Sequence, residues 1–275
     1  MSWPDKKLTV VPPLAVAVEI AMQVRRYAFG ERFETVSCNL KIVRQLGGFR
    51  VKRIKFAKSQ KDHQALLVPT ADGSFEIIVD PSIRREEGNK TDAIIPDIEL
   101  HRLRFRIAHE IGHSFFYNRK VRPPKRLLDG SKEEELFCDH FASALLVPHS
   151  AIVKMPTRAS TILKIRKLYS VSAEVAGRSL ARINQEITVI GLLWRSNPRT
   201  GVEGMRVVWS EGPKYVPVGA RLNSSIVNSA MLDTKASGIE RLNIGGLHGD
   251  YSIDAVRPIH GDQVVTVITP IQQSD

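Results

Sequence analysis

Cysteine is scarce in this chain: 275 residues contain two thiols, Cys38 and Cys138. That excludes a disulfide-stapled scaffold and a cysteine-rich zinc site, and it fits a reducing compartment. Long apolar runs are missing too. None approaches the roughly 20 residues that a membrane-crossing helix needs. The first nine residues are polar, and the apolar stretch Leu14–Val24 holds Glu19 and has no cleavage-like end, so no secretory leader is expected. The reading is a cytoplasmic protein that does not engage a membrane. Internal repeats and low-complexity tracts are also absent.

Acidic residues are outnumbered, with 29 Asp and Glu against 40 Lys and Arg, a net charge of +11. The excess is uneven. Residues 151–185 hold seven basic residues against one acidic, whereas residues 186–275 hold eight against nine. A positive middle segment can meet nucleic acid or an acidic protein surface, or be a plain solvated helix face. Hydrophobic residues at 43% and charged residues at 25% are ordinary globular values, and the length suits one large domain or two smaller ones.

Apolar spacing predicts a helix over Leu14–Tyr27, opened by Pro12 and Pro13. Ala65–Val68 and Phe75–Asp80 read as two strands of a hairpin, with Pro69, Asp72 and Gly73 as turn residues. Ile83–Pro96 reads as a loop. Leu100–Tyr117 reads as a helix with Leu103, Ile107, Ile111 and Phe115 on one side. Lys120–Asp129, with Pro123 and Pro124, reads as a surface connection. A further helix starts after Ser131, where Ser131–Glu134 has capping-box spacing, and stops near Pro148. Two short helices follow, Thr161–Tyr169 and Ala173–Asn184, the second capped by Ser172. From about Ile187 strand-like runs (Thr188–Trp194, Met205–Trp209, Val264–Thr269) alternate with turns. The fold class is α+β, divided into residues 1–150, a basic segment 151–185, and a mixed or mainly β region 186–275.

His109-Glu110-Ile111-Gly112-His113 is a His-Glu-x-x-His motif. Residues four apart share a helix face, so the two imidazoles can hold one cation. Glu110 is displaced to the side, where it can take a proton from water. Apolar flanks (Ile107, Ala108, Ile111, Phe115, Phe116) mark a mostly buried helix, in which two histidines and a glutamate need partners. Catalytic zinc usually takes three protein ligands. The next helix offers Glu133, Glu134, Glu135 and Asp139. Glu135 and Asp139 share a face, one carboxylate for metal and one to accept a hydrogen bond from a ligand imidazole. An acidic first turn is also what the helix dipole favours, and that plain reading covers two of the three glutamates.

The two helices together resemble the ImmA/IrrE family of metallopeptidases. Phe105-Arg106-Ile107-Ala108-His109-Glu110-Ile111-Gly112-His113 is similar to the family's first motif. Glu135-Leu136-Phe137-Cys138-Asp139-His140-Phe141-Ala142-Ser143-Ala144-Leu145-Leu146-Val147-Pro148 is similar to its second, with Cys138 where the family usually has alanine. Both residues are small, so packing is the expected role of Cys138. The resemblance spans roughly residues 65–185 and selects Glu135 as third ligand. It implies a small gluzincin-like core and a zinc endopeptidase with one Zn2+ per chain, Mn2+ being the other candidate metal. Glu110 would be the general base and Asp139 the hydrogen-bond partner of a ligand histidine.

The resemblance also implies a protein substrate, a helix-turn-helix repressor whose cleavage relieves repression under stress. The segment Thr161–Asn184 is itself similar to a helix-turn-helix, with Tyr169–Ser172 as its turn. The other partner to consider is nucleic acid, through the basic segment 151–185. The alternative function is a non-catalytic DNA- or protein-binding regulator that retains a metal site. Tyr117, His140 and His149 are candidate oxyanion donors. His63, His101, His248 and His260 are expected to be surface or satisfied histidines. Phe75–Asp80 is expected to be an edge strand that receives the substrate.

Overall fold

The computed structural model describes residues 3–4, 6–54, 65–79, 97–197, 200–258 and 263–271. The chain divides into two compact units, Met1–His149 with Tyr169–Val171, and Ser150–Leu168 with Ser172–Asp275. It is an α+β protein. Ile83–Pro96, His63, His260 and Asp80 lie outside the described residues.

The first unit opens with α1 (Leu14–Phe29), preceded by Pro13 in an extended conformation as expected. Then come α2 (Leu40–Gly47) and β1 (Phe49–Arg53), neither anticipated from the sequence. The expected hairpin is present as β2 (Ala65–Pro69) and β3 (Phe75–Val79). Its turn is organised by Asp72, whose carboxylate accepts from Thr70, Ser74 and the Ser74 backbone N–H, while Gly73 takes φ 88°. The strand order is β1-β3-β2, with β1 parallel and β2 antiparallel to β3. This corrects one expectation. Phe75–Val79 is not an edge strand: both its sides are paired, because Phe49–Arg53 supplies a neighbour that sequence spacing did not reveal. Among the described residues β1 and β2 are the edges.

Helix α3 (Asp97–His113) ends earlier than its apolar spacing suggested. A single 3-10 turn, Ser114–Phe116, follows, and Tyr117 already lies in β4 (Tyr117–Asn118). β4 pairs with β5 (Lys125–Arg126), so the expected surface connection carries a short strand. α4 (Lys132–Leu146) is capped by Ser131, whose Oγ accepts from the Glu134 N–H at 3.2 Å. α4 packs on both α1 and α3. Arg25 of α1 is fully buried and donates to three backbone carbonyls: Phe33 O at 2.6 Å, Val36 O at 2.7 Å and Leu145 O at 2.6 Å.

α5 (His149–Ile152) is a single turn. α6 (Ala159–Tyr169) and α7 (Ala173–Ile183) are joined by a tight turn in which Ser170 adopts the left-handed conformation, φ 52°. Ser172 caps α7 as expected, accepting from Val175 N–H at 3.1 Å. In the second unit β6 (Thr188–Ser196), β7 (Glu203–Glu211), β8 (Lys235–Ile244), β9 (Leu247–Val256) and β10 (Gln263–Pro270) form an antiparallel sheet of order β7-β6-β10-β9-β8. α8 (Ser225–Asp233) covers β8 and β9 over an apolar core that includes Val227, Leu242 and Ile253. α7 lies on β6 and β7. Gly177 and Gly191 leave the room that the Trp209 ring fills, since a Cβ at Gly191 would stand 2.2 Å from the indole nitrogen. No helix among the described residues is long and apolar enough to cross a membrane.

Candidate metal centre

α3 and α4 approach closely at a glycine. A Cβ on Gly112 would meet Phe141 at 3.1 Å and both Cα and Sγ of Cys138 at 3.2 Å. The small residue between Ile111 and His113 therefore lets α4 come near enough for its side chains to reach the histidines. His109 and His113 stand one turn apart on α3, and Glu135 and Asp139 one turn apart on α4.

Three side chains converge. His109 Nε2 lies 3.1 Å from His113 Nε2 and 3.1 Å from Glu135 Oε2, and His113 Nε2 lies 3.4 Å from Glu135 Oε1. A tetrahedral cation with bonds of about 2.0–2.1 Å has ligand edges of about 3.3 Å, so these spacings fit zinc. His109, His113 and Cys138 also form a group whose ligand atoms all lie within 4.8 Å of one another and which can hold a metal ion.

The outward nitrogens of both rings meet carboxylates. His109 Nδ1 is 2.9 Å from Asp139 Oδ1, and His113 Nδ1 is 2.6 Å from Glu134 Oε1. An ionised carboxylate only accepts, so each ring donates its Nδ1–H, and Nε2 is the nitrogen each ring turns inward, where a cation could take the place of its proton. Glu134 is fully buried, and Arg126 of β5 donates to the same Oε1 at 2.6 Å. Sequence reasoning left Glu134 among the ordinary first-turn acids. A signal was available: Glu134 heads the stripe Phe137, Cys138, Phe141 and Leu145, all buried and in helical phase with it. A glutamate in phase with a buried stripe needs a partner.

The electrostatics favour a cation. Glu110, Glu134, Glu135 and Asp139 gather around the two imidazoles. Burial opposes a charged His109, yet hydrogen bonds to Asp139 and Glu135 carry its pKa up to about 10. The bond to His109 holds Glu135 below the usual carboxylate range. Glu110 is pushed up by burial, against the pull of the histidines and of the Leu67 N–H of β2, which donates to its carboxylate. Burial, reinforced by the surrounding carboxylates, raises the Cys138 thiol well above its ordinary value.

Tyr117 is buried, and its hydroxyl accepts from Arg126 Nη1 at 3.3 Å. His140 follows Asp139 on the half-buried part of α4, and His149 opens α5. His101 is buried, and exposed His248 bonds Asn243 Oδ1 at 2.7 Å.

Residues 97–181 match the Peptidase_M78 family, described as the IrrE N-terminal-like domain. Over these residues the chain is similar to the IrrE N-terminal-like domain. The match begins with α3, takes in α4 and ends within α7, so both motif helices lie inside it. The resemblance to the ImmA/IrrE family read from those helices is thereby shown. A solved Mycobacterium tuberculosis transcriptional regulator aligns with 92% of this chain and 76% of its own, at 12% identity and a TM-score of 0.47. No curated protein matches the chain by sequence.

Proposed function

We propose that this chain is a zinc-dependent endopeptidase, with one zinc held by His109, His113 and Glu135, acting on a helix-turn-helix repressor. The observation that carries the reading is the triangle of two imidazole nitrogens and a carboxylate, with sides of 3.1–3.4 Å, beside the buried Glu110. Two imidazoles favour zinc over manganese. Zinc at these atoms would supply a Lewis acid that polarises a peptide carbonyl and makes water a better nucleophile. Glu110 takes a proton from the attacking water and passes it to the leaving amine as the C–N bond breaks. The Leu67 N–H steadies the Glu110 carboxylate in that position. The free edge beside Glu110 belongs to β2, so β2 rather than β3 is the strand on which an extended peptide would add. The Tyr117 hydroxyl accepts from Arg126 and keeps its own proton to donate, so Tyr117, His140 and His149 are the oxyanion donors to test.

Glu135 is favoured over Cys138 as third ligand. Glu135 oxygens lie 3.1 Å from His109 Nε2 and 3.4 Å from His113 Nε2, whereas the His109, His113 and Cys138 ligand atoms are held together only within 4.8 Å. Cys138→Ala is therefore expected to keep one zinc per chain by elemental analysis, losing roughly 1–2 kcal/mol of stability for the emptied volume. Glu135→Ala is expected to lose the zinc. The reverse pattern would transfer the ligand role to Cys138.

A protein partner is favoured over DNA. In a helix-turn-helix the second helix reads the groove. Here α7 is largely buried, and its Arg178 and Arg182 are paired with Glu211 at 2.8 and 3.2 Å. The test is incubation of the zinc-loaded chain with a helix-turn-helix repressor encoded beside its gene, with and without chelator. Cleavage that chelator stops is expected. A zinc-loaded chain that leaves the repressor whole would refute this substrate, and a chain that takes up no zinc would refute the enzyme.

A further inference from the structure

We propose that Glu134, clamped by Arg126 of β5, is the positioning residue for the ligand imidazole of His113. The inference rests on the metal reading above and names how one of its ligands is held. His113 Nδ1 and Arg126 Nη2 both lie 2.6 Å from the same oxygen, Glu134 Oε1. The Glu134 side chain is fully buried. A carboxylate removed from water is strongly unfavourable unless it is paired, so its place in this stripe is retained by what it binds.

The guanidinium is fixed in turn. Arg126 Nε donates to Leu128 O at 2.7 Å, Nη1 to the Tyr117 hydroxyl at 3.3 Å, and its plane lies 5.5 Å from the Tyr117 ring centre. β4 begins four residues after His113, so the β4–β5 pair folds back beside the helix end that carries the ligand. The result is a rigid chain from the hairpin through Arg126 and Glu134 to His113. It selects the tautomer with Nδ1–H and keeps Nε2 turned toward Glu135. His109 receives the same service from Asp139, but that carboxylate is half-exposed. The two ligand rings are therefore held unequally, and the buried clamp holds His113 the more firmly.

The geometry dictates the variants. Among the described residues Glu134 Oε2 has no hydrogen-bond partner. Glu134→Gln can keep its oxygen where Oε1 stands and put the amide nitrogen on the unpartnered side. Glu134→Met keeps most of the volume and removes the acceptor. Arg126→Met removes the clamp. The measurements are the zinc Kd, by competition with a chromophoric chelator, and the visible spectrum of the cobalt(II)-loaded chain, with circular dichroism to confirm folding. Glu134→Met is expected to weaken zinc binding by about 10–100-fold and to shift the cobalt bands. Glu134→Gln should restore the spectrum and stay within about tenfold of the parent, since the hydrogen bond survives without the charge. Arg126→Met should weaken zinc by about tenfold alone and add little in the Glu134→Met background, because the two act in series. Should Glu134→Met not fold, Arg126→Met against Glu134→Gln decides. Parent-like affinity and spectrum in Glu134→Met, or in Arg126→Met where Glu134→Met does not fold, would overturn the clamp while leaving the metal site standing. A parent chain without zinc affinity would overturn both.

Discussion

Glu110→Gln is expected to lower peptide cleavage by about 10²–10⁴-fold while leaving one zinc per chain. The amide has nearly the shape of the carboxylate and can still accept the Leu67 N–H that anchors Glu110. It cannot take a proton from water at neutral pH. Because Glu110 lies outside the triangle of His109, His113 and Glu135, the substitution removes the base without removing a ligand. The decisive comparison is single-turnover cleavage of the repressor beside metal content on the same preparation. Cleavage at the parent rate by a zinc-loaded Glu110→Gln chain would sink the mechanism. Loss of zinc along with activity would instead make Glu110 part of the metal's own support.

The candidate metal centre was legible where its chemistry coincides with helical spacing. His109 and His113 four apart, and Glu135 and Asp139 four apart, each specify one face, and the structure brings those faces together. Glu134 escaped because capping and burial compete for one residue. Its N–H completes the Ser131 cap, as the sequence suggested, but its carboxylate turns inward to His113 instead of back to Ser131. Strands were legible when apolar, as with β2, β3, β6 and β10. β1 (Phe-Arg-Val-Lys-Arg) and β8 (Lys-Ala-Ser-Gly-Ile-Glu-Arg-Leu-Asn-Ile) are outer strands with many polar residues, so their apolar signal is weak. Strand order depends on long-range pairing, which local spacing does not encode. That is why β3 read as an edge when β1 in fact lies beside it.

Arg25→Met should destabilise the first unit by about 3–5 kcal/mol, a large share of the 5–15 kcal/mol that holds a typical domain folded. The sequence shows only one arginine among several in α1. The structure shows a guanidinium withdrawn from water and shared among three carbonyls, two in the segment after α1 and one at the end of α4. Methionine fills much of the space but donates nothing. Three carbonyl acceptors lose their partner, at roughly 1–3 kcal/mol each, partly offset by the apolar side chain. Burial already pushes the Arg25 guanidinium pKa down, with the charges of Cys38, Tyr169 and Glu34 opposing, so its place is held by hydrogen bonds rather than by a salt bridge. Urea unfolding with and without chelator separates this effect from metal binding. Zinc raises stability by mass action in both chains. Arg25 touches none of His109, His113 and Glu135, so the gap between parent and Arg25→Met should be equal in the two conditions. A loss below about 1 kcal/mol would mean that water replaces the guanidinium at these carbonyls. A gap that closes under chelator would instead tie Arg25 to the metal site through the end of α4.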